Sequence, residues 1–291
     1  MAGQAADVTI GAPSVPREGS TFEIGRDRGL PTLGIRELWT ARGLFGFLFW
    51  RDIKVRYAQT VLGIAWVVLQ PLTTTLVFAL VFGRLAHLPS DGAAYPAFAF
   101  IGLIVWTFFS SAVAGAGSSL VEETALLKKV YFPRLFIPLA PVAVALFDAA
   151  IALFILAPAL VVIAPPPRLV PVFAVPLFLL IAVAACVGVG AALAALNLRY
   201  RDFRYVIPFL LQGWMFVSPI AYPTSMVPAA YRALYALNPL VGAVEGCRWA
   251  LLGTPAPTVG MLGASAISAA AMFAVGTLYF RWSERTLVDV A

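Results

Sequence analysis

The residues able to do chemistry are few. Glu122 and Glu123 form the only adjacent acidic pair in the chain. A membrane-bound transferase acting on polyprenyl sugars would need an acidic or histidine cluster at a membrane-water boundary, and His87 is the single histidine. Asp148 stands alone in an apolar run. A proton relay needs a chain of such groups, so a structural or gating contact is the expected role. Cys186 and Cys247 have neither a paired framework nor metal-ligand spacing, so no metal site is expected. None of the three lysines lies in a G-x-x-x-x-G-K-[ST] setting, and the chain therefore lacks a P-loop with which to hydrolyse ATP.

What must position these groups is membrane-embedded helix. Of the 291 residues 61% are apolar and only 12% charged, against about 45–50% and 25% in soluble domains. The apolar residues come in blocks, several longer than the roughly 18 at which a membrane span becomes the default. Spans are expected over 60–83, 96–121, 138–164, 172–196, 206–222 and 256–280, the fifth being the shortest. Each must be a helix to satisfy its own backbone in lipid. Prolines 71, 141, 158, 176, 208 and 219 fall inside these blocks and should bend them.

A net charge of +6 raises nucleic acid as a ligand, but the basic residues sort as topology markers instead. With the N-terminus inside, 16 of them lie on the inner side and only Arg84, Arg168, Arg232 and Arg248 on the outer. Both termini are then cytoplasmic and six spans are consistent. No repeat is visible, and six kinked helices are small for a pathway, so a dimer is expected. Residues 1–33 read as a disordered cytoplasmic tail, and 59–285 as the membrane domain.

Three segments are neither span nor simple loop. The first, 34–58, carries an apolar stripe (Ile35, Leu38, Trp39, Phe45, Phe49, Ile53) with Arg36, Glu37, Arg51 and Lys54 opposite, the pattern of an amphipathic helix lying in the membrane interface. Next, loop 121–134 starts with Glu122 and Glu123, continues through Leu126, Leu127, Lys128 and Lys129, and ends in Tyr131, Phe132 and Pro133. Its charges suit the dipole of one short helix, and its apolar pairs suit docking if they are exposed. The third segment, 223–252, is broken by prolines. Asn238 is a good N-cap ahead of Pro239, and Gly253 is placed to end the helix. Helices of about 10–14 residues cannot cross a bilayer of about 30 Å, so a re-entrant pair is expected, either a gate or a packed cap.

The stretches RDIKVRYAQTVLGIAWVVLQPL (51–72), LLKKVYFPR (126–134), NLRYRDFRYVIPFLLQGWMFVSPIAYP (197–223) and NPLVGAVEGCRWALLG (238–253) resemble the permeases of type-2 ABC exporters. More narrowly they resemble those for lipid-linked polysaccharides such as O-antigen, with their teichoic acid relatives. The likeness covers about residues 34–285. It implies an all-α fold of six spans with an interface helix and periplasmic re-entrant gate helices, in the bacterial inner membrane. It also implies a homodimer with a polymer channel at its interface, and a separate ABC nucleotide-binding ATPase subunit on the cytoplasmic side. The chain itself would be a transport subunit and not an enzyme, without cofactor, ATP being bound by that partner.

Under this resemblance Glu122, Leu126, Leu127, Lys128, Lys129, Tyr131 and Phe132 form the coupling element, and Tyr222, Tyr231, Asn238 and Trp249 the gate. Trp66, Phe78, Trp214 and Phe216 are expected to line the path, offering flat apolar faces to sugar C–H groups. Arg51, Lys54 and Arg56, with Arg199 and Arg201, would meet the pyrophosphate of a lipid-linked precursor, and the outer pair Arg232 and Arg248 suits an anionic or neutral polymer. Besides lipid-linked polysaccharide, the substrates to weigh are teichoic acid and small molecules or drugs.

Overall fold

The computed structural model describes residues 39–58, 65–129, 132–163 and 172–290. The tail expected over 1–33 lies outside them. Every regular element among the described residues is helical. In chain order these are α1 (Arg42–Tyr57), α2 (Ala65–Phe78, continued by a π-helical stretch Ala79–Leu85), α3 (Tyr95–Glu122), α4 (Thr124–Lys129) and α5 (Phe136–Ile163). They are followed by α6 (Val175–Arg199), α7 (Phe203–Phe216), α8 (Ala229–Tyr235), α9 (Pro239–Leu252) and α10 (Val259–Val290), with a 3-10 turn at Thr224–Met226.

Five helices are long and apolar enough to cross a membrane: Ala65–Leu85, Tyr95–Glu122, Phe136–Ile155, Val175–Arg199 and Val259–Glu284. They answer to the expected first, second, third, fourth and sixth spans. The central one is α3, about 42 Å long at 1.5 Å per residue. It buries Phe98, Ile101, Phe108, Phe109, Val113 and Leu120 among α2, α5, α6, α7 and α9. Two helices meet most tightly where α6 crosses α10. A Cβ on Gly188 would lie 2.1 Å from the Met272 carbonyl oxygen, and one on Gly276 1.9 Å from that of Gly188. Only glycine fits at such a crossing of lipid-embedded helices.

The fifth expected span needs correction. The continuous helix there, α7, stops at Phe216 after 14 residues, about 21 Å and too short for a core of about 30 Å. Pro219 lacks the N–H that a helix would need, and residues 217–223 continue as irregular backbone. Pro176 is a smaller correction: α6 begins at Val175, so this proline sits in the first turn and replaces no helical hydrogen bond.

Helix α1 runs along α5 in the same direction. Phe45 packs on Phe136 with ring centroids 5.5 Å apart, Phe49 on Phe147 at 6.1 Å, and Arg56 reaches Asp148. Phe45, Phe49 and Ile53 of the apolar stripe face the bundle. Trp39, Phe47 and Trp50 are exposed, so apolar side chains occupy both faces of this segment.

Candidate functional site

At the Glu122 end of the bundle α3 gives way to α4 across Glu123, where the Thr124 hydroxyl donates to the carbonyls of Leu120 and Val121. Glu122 is exposed, whereas Leu126 is half-buried against Leu48 and Phe136. Phe132 corrects the expectation of an exposed docking ring. It is buried with Leu120, Leu135, Ile137 and Phe280, so it fastens the loop to the bundle. Leu127, Lys128 and Lys129 belong to α4, but their side chains, like Tyr131, lie outside the described residues.

Two ion pairs tie α1 to this end. Arg51 donates to Glu123 through both terminal nitrogens, at 2.7 and 3.3 Å, and to Asp52 at 2.8 Å. This two-pronged geometry is the strong form of the guanidinium-carboxylate contact. Farther along, Arg56 and the Tyr57 hydroxyl both donate to Asp148. Burial, and then the hydrogen bond to Asp148, raises the Tyr57 pKa, so Tyr57 remains a neutral donor. Between α1, α3 and α5 lies a crevice of about 420 Å³ with Arg51, Glu122 and Glu123 at its rim and Leu48, Ile137 and Val144 inside. Of the expected pyrophosphate cations, Arg51 and Arg56 are therefore already neutralised. Lys54, Arg199 and Arg201 are exposed and form no ion pair among the described residues.

The irregular stretch after α7 is held by side chains, which answer backbone groups that no helix satisfies. Asn238 donates to the Val217 carbonyl and the Ser218 hydroxyl, while its Oδ1 accepts from Trp214 Nε1 and caps α9 at Leu240. The Ser218 hydroxyl donates to the Trp214 carbonyl, and the Tyr95 hydroxyl to that of Ala221. At the centre Arg248, fully buried, donates to the carbonyls of Phe98 and Ile220 and meets Glu245 at 3.4 Å. Its guanidinium carbon lies 3.4 Å from the Phe98 ring centroid. Glu245 in turn accepts from the backbone and hydroxyl of Thr224. Gly102 makes the room, since a Cβ there would come within 2.7 Å of the guanidinium. Arg248 is thus corrected from an outer-path cation to an interior staple.

Beyond this staple lie the two short helices α8 and α9, of seven and 14 residues. Gly253 ends α9 with φ +69°, as its sequence position predicts, and α9 is almost wholly buried. The other arm, α8, buries none of its residues. Tyr231 is exposed on it, and Arg232 donates to the carbonyls of Val227 and Ser225. Tyr222 donates to the Phe216 carbonyl and accepts from Tyr235. Trp249 packs edge-on against Phe178.

The four expected path aromatics divide. Trp66 and Phe216 are open, 54% and 65% exposed. Phe78 packs on Phe82 with centroids 5.1 Å apart, and Trp214 is pinned between Phe109, at 4.9 Å, and Asn238. Sequence reasoning missed the Glu245-Arg248 pairing, whose i, i+3 spacing within a helix was the available sign. It also missed Gln70, Thr107 and Ser111, three polar residues in apolar runs.

The ABC-2 type transporter family matches residues 43–252. The O-antigen export system permease protein RfbA of Myxococcus xanthus is 31% identical over 211 residues, covering 71% of this chain and 79% of that protein. An O-antigen export system permease protein RfbA of Klebsiella pneumoniae is 27% identical, with 68% and 76% covered. The polysialic acid transport protein KpsM of Escherichia coli is 28% identical, with 70% and 80% covered. The matched stretch runs from the foot of α1 through the Glu122 corner to the end of α9, taking in both ion-paired anchors and the staple. With five helices long and apolar enough to cross a membrane and that continuous match, the chain belongs to the ABC-2 type transporter family.

Proposed function

We propose that the chain is the membrane subunit of an ATP-driven exporter that moves lipid-linked, O-antigen-like polysaccharide from the cytoplasm across the bacterial inner membrane. The observation that carries this reading is the likeness of most of the chain to permeases that export O-antigen and polysialic acid. A family member without a P-loop needs a separate ABC ATPase, and the Glu122 end, with α4 and the Arg51-Glu123 tie, is where that subunit docks. Both termini are then cytoplasmic, with α7 and the irregular stretch after it making a sixth crossing.

The path forms between two copies of the chain. The exposed apolar side chains Trp66, Leu69, Leu76 and Val77 of α2, and Phe209 and Phe216 of α7, give each copy a face that a partner covers, with α8 at the exit. Lys54, Arg199 and Arg201 are the cations free to meet a pyrophosphate at entry.

Deleting the gene in its host tests the reading. Surface polysaccharide should disappear and lipid-linked polymer accumulate inside, with both reversed by the intact chain expressed with its ATPase. Unchanged surface polysaccharide in the deletion strain would overturn it.

A further inference from the structure

Thr107 and Ser111 stand one turn apart on α3 and line a cavity of about 330 Å³ between α2, α3, α5 and the end of α1. Hydroxyls in apolar helices can bond back to a carbonyl three or four residues earlier, and Thr73, Thr74, Thr75, Ser110, Ser118, Ser119 and Thr277 all do so. Thr107 and Ser111 do not. Among the described residues neither hydroxyl has a partner, and the side-chain amide of Gln70, across the cavity on α2, has none either. Thr107 and Ser111 are half-buried and Gln70 is exposed, so three groups without protein partners are open to whatever enters the cavity.

The rest of the lining says what that is. Asp148 forms part of the wall, but Arg56 and Tyr57 already engage it, so the cavity offers balanced charge, unsuited to a free phosphate or a cationic headgroup. Trp66, 54% exposed, adds a flat ring at the side. Ligand pockets run about 300–1,000 Å³, so this volume has room for one small ring and not for a chain segment. Hydroxyl, amide and aromatic groups around a neutral space are the chemistry that recognises a polyol.

We propose that this cavity is a binding subsite for one uncharged sugar ring of the exported polymer, with Gln70, Thr107 and Ser111 bonding its hydroxyls and Trp66 stacking on its apolar face. The inference rests on the polysaccharide reading above and adds selectivity to it. Directional hydrogen bonds discriminate sugars that lack a hydroxyl, which aromatic faces alone do not.

The test places a diazirine amino acid at Ser111, at Phe216 or at the exposed Phe154, in cells that make the polymer and express the ATPase. After illumination, polymer should be attached at positions 111 and 216, and only lipid at 154. Polymer at 216 with lipid or nothing at 111 overturns the subsite and leaves the export reading standing. Polymer at none of the three positions overturns both. In parallel, the combined variant Q70A/T107V/S111A should export at least five-fold more slowly at an unchanged amount of folded protein, while F154A, exposed and outside the cavity, stays near the wild-type rate. Wild-type export by the triple variant also overturns the proposal.

Discussion

Glu245 and Arg248 lie one turn apart on α9 and meet at 3.4 Å, with the guanidinium wholly enclosed. The pair stabilises what the backbone cannot stabilise alone, because α7 ends at Phe216 and leaves carbonyls at Val217, Ile220 and Ala221 without helical partners. Arg248 answers Ile220 directly, and Glu245 ties Thr224 at the far end of the same stretch.

Breaking this pair should therefore cost far more than breaking a surface one. Replacing Arg248 by Leu leaves Glu245 buried without its cation and should destabilise the protein by about 3–5 kcal/mol. Arg248→Lys should fall between, since an ammonium lacks the planar fork that reaches two carbonyls. Thermal unfolding of the purified protein in one detergent checks the order, and an Arg248→Leu variant as stable as wild type would contradict it.

Arg51 and Glu123 should behave differently, because both side chains are about a third exposed. Pairs of that kind contribute about 0.2–1 kcal/mol, so Arg51→Glu should leave folding almost untouched. Its effect should appear in coupling: ATPase activity of the complex would continue while export falls, and the exchanged pair R51E/E123R should recover much of it. Equal export by wild type and Arg51→Glu would show that the tie between α1 and the α3-α4 corner carries no motion.

Orientation gives a third outcome. Cys186 and Cys247 are buried, so new cysteines can be read against little background. A cysteine at Ala125 or Arg201 should be shielded from an impermeant thiol reagent added outside intact cells, and one at Ala230 should react. Labelling at Ala125 from outside would reverse the placement of the docking end.

Much of the architecture was legible in the sequence. Blocks of apolar residues long enough to span located five of the helices, and Asn238-Pro239 and Gly253 marked both ends of α9, because caps act through local geometry. The break after α7 was harder, since 206–222 carries no charge and only Gln212 and Ser218 as polar side chains apart from its aromatics. What ends the helix is Pro219 together with distant partners: Tyr95, Asn238 and Arg248. Pairing of charges was not legible: Arg51, Arg56 and Arg248 read as free cations until the fold brought Glu123, Asp148 and Glu245 to them. Phe132 misled for a similar reason: a loop aromatic looks exposed until Leu120 and Phe280 close over it.

The path aromatics should separate by exposure. Trp66→Ala with Phe216→Ala should lower export several-fold with little change in folded protein. Phe154→Ala with Phe173→Ala, both exposed outside the proposed path, should not. Equal losses from both double variants, tracked by a matching fall in folded protein, would assign the effect to stability.

The central claim is that this chain, with an ABC ATPase, moves lipid-linked polysaccharide across a membrane. Its most direct test is transport by the two purified proteins in sealed vesicles, with the ATP-binding side outward and lipid-linked polymer in the outer leaflet. The account predicts that polymer becomes protected from an added glycosidase only when ATP is hydrolysed, and only with the chain present. ATP hydrolysis with the polymer remaining fully accessible, while a small amphiphilic drug is moved instead, would contradict it.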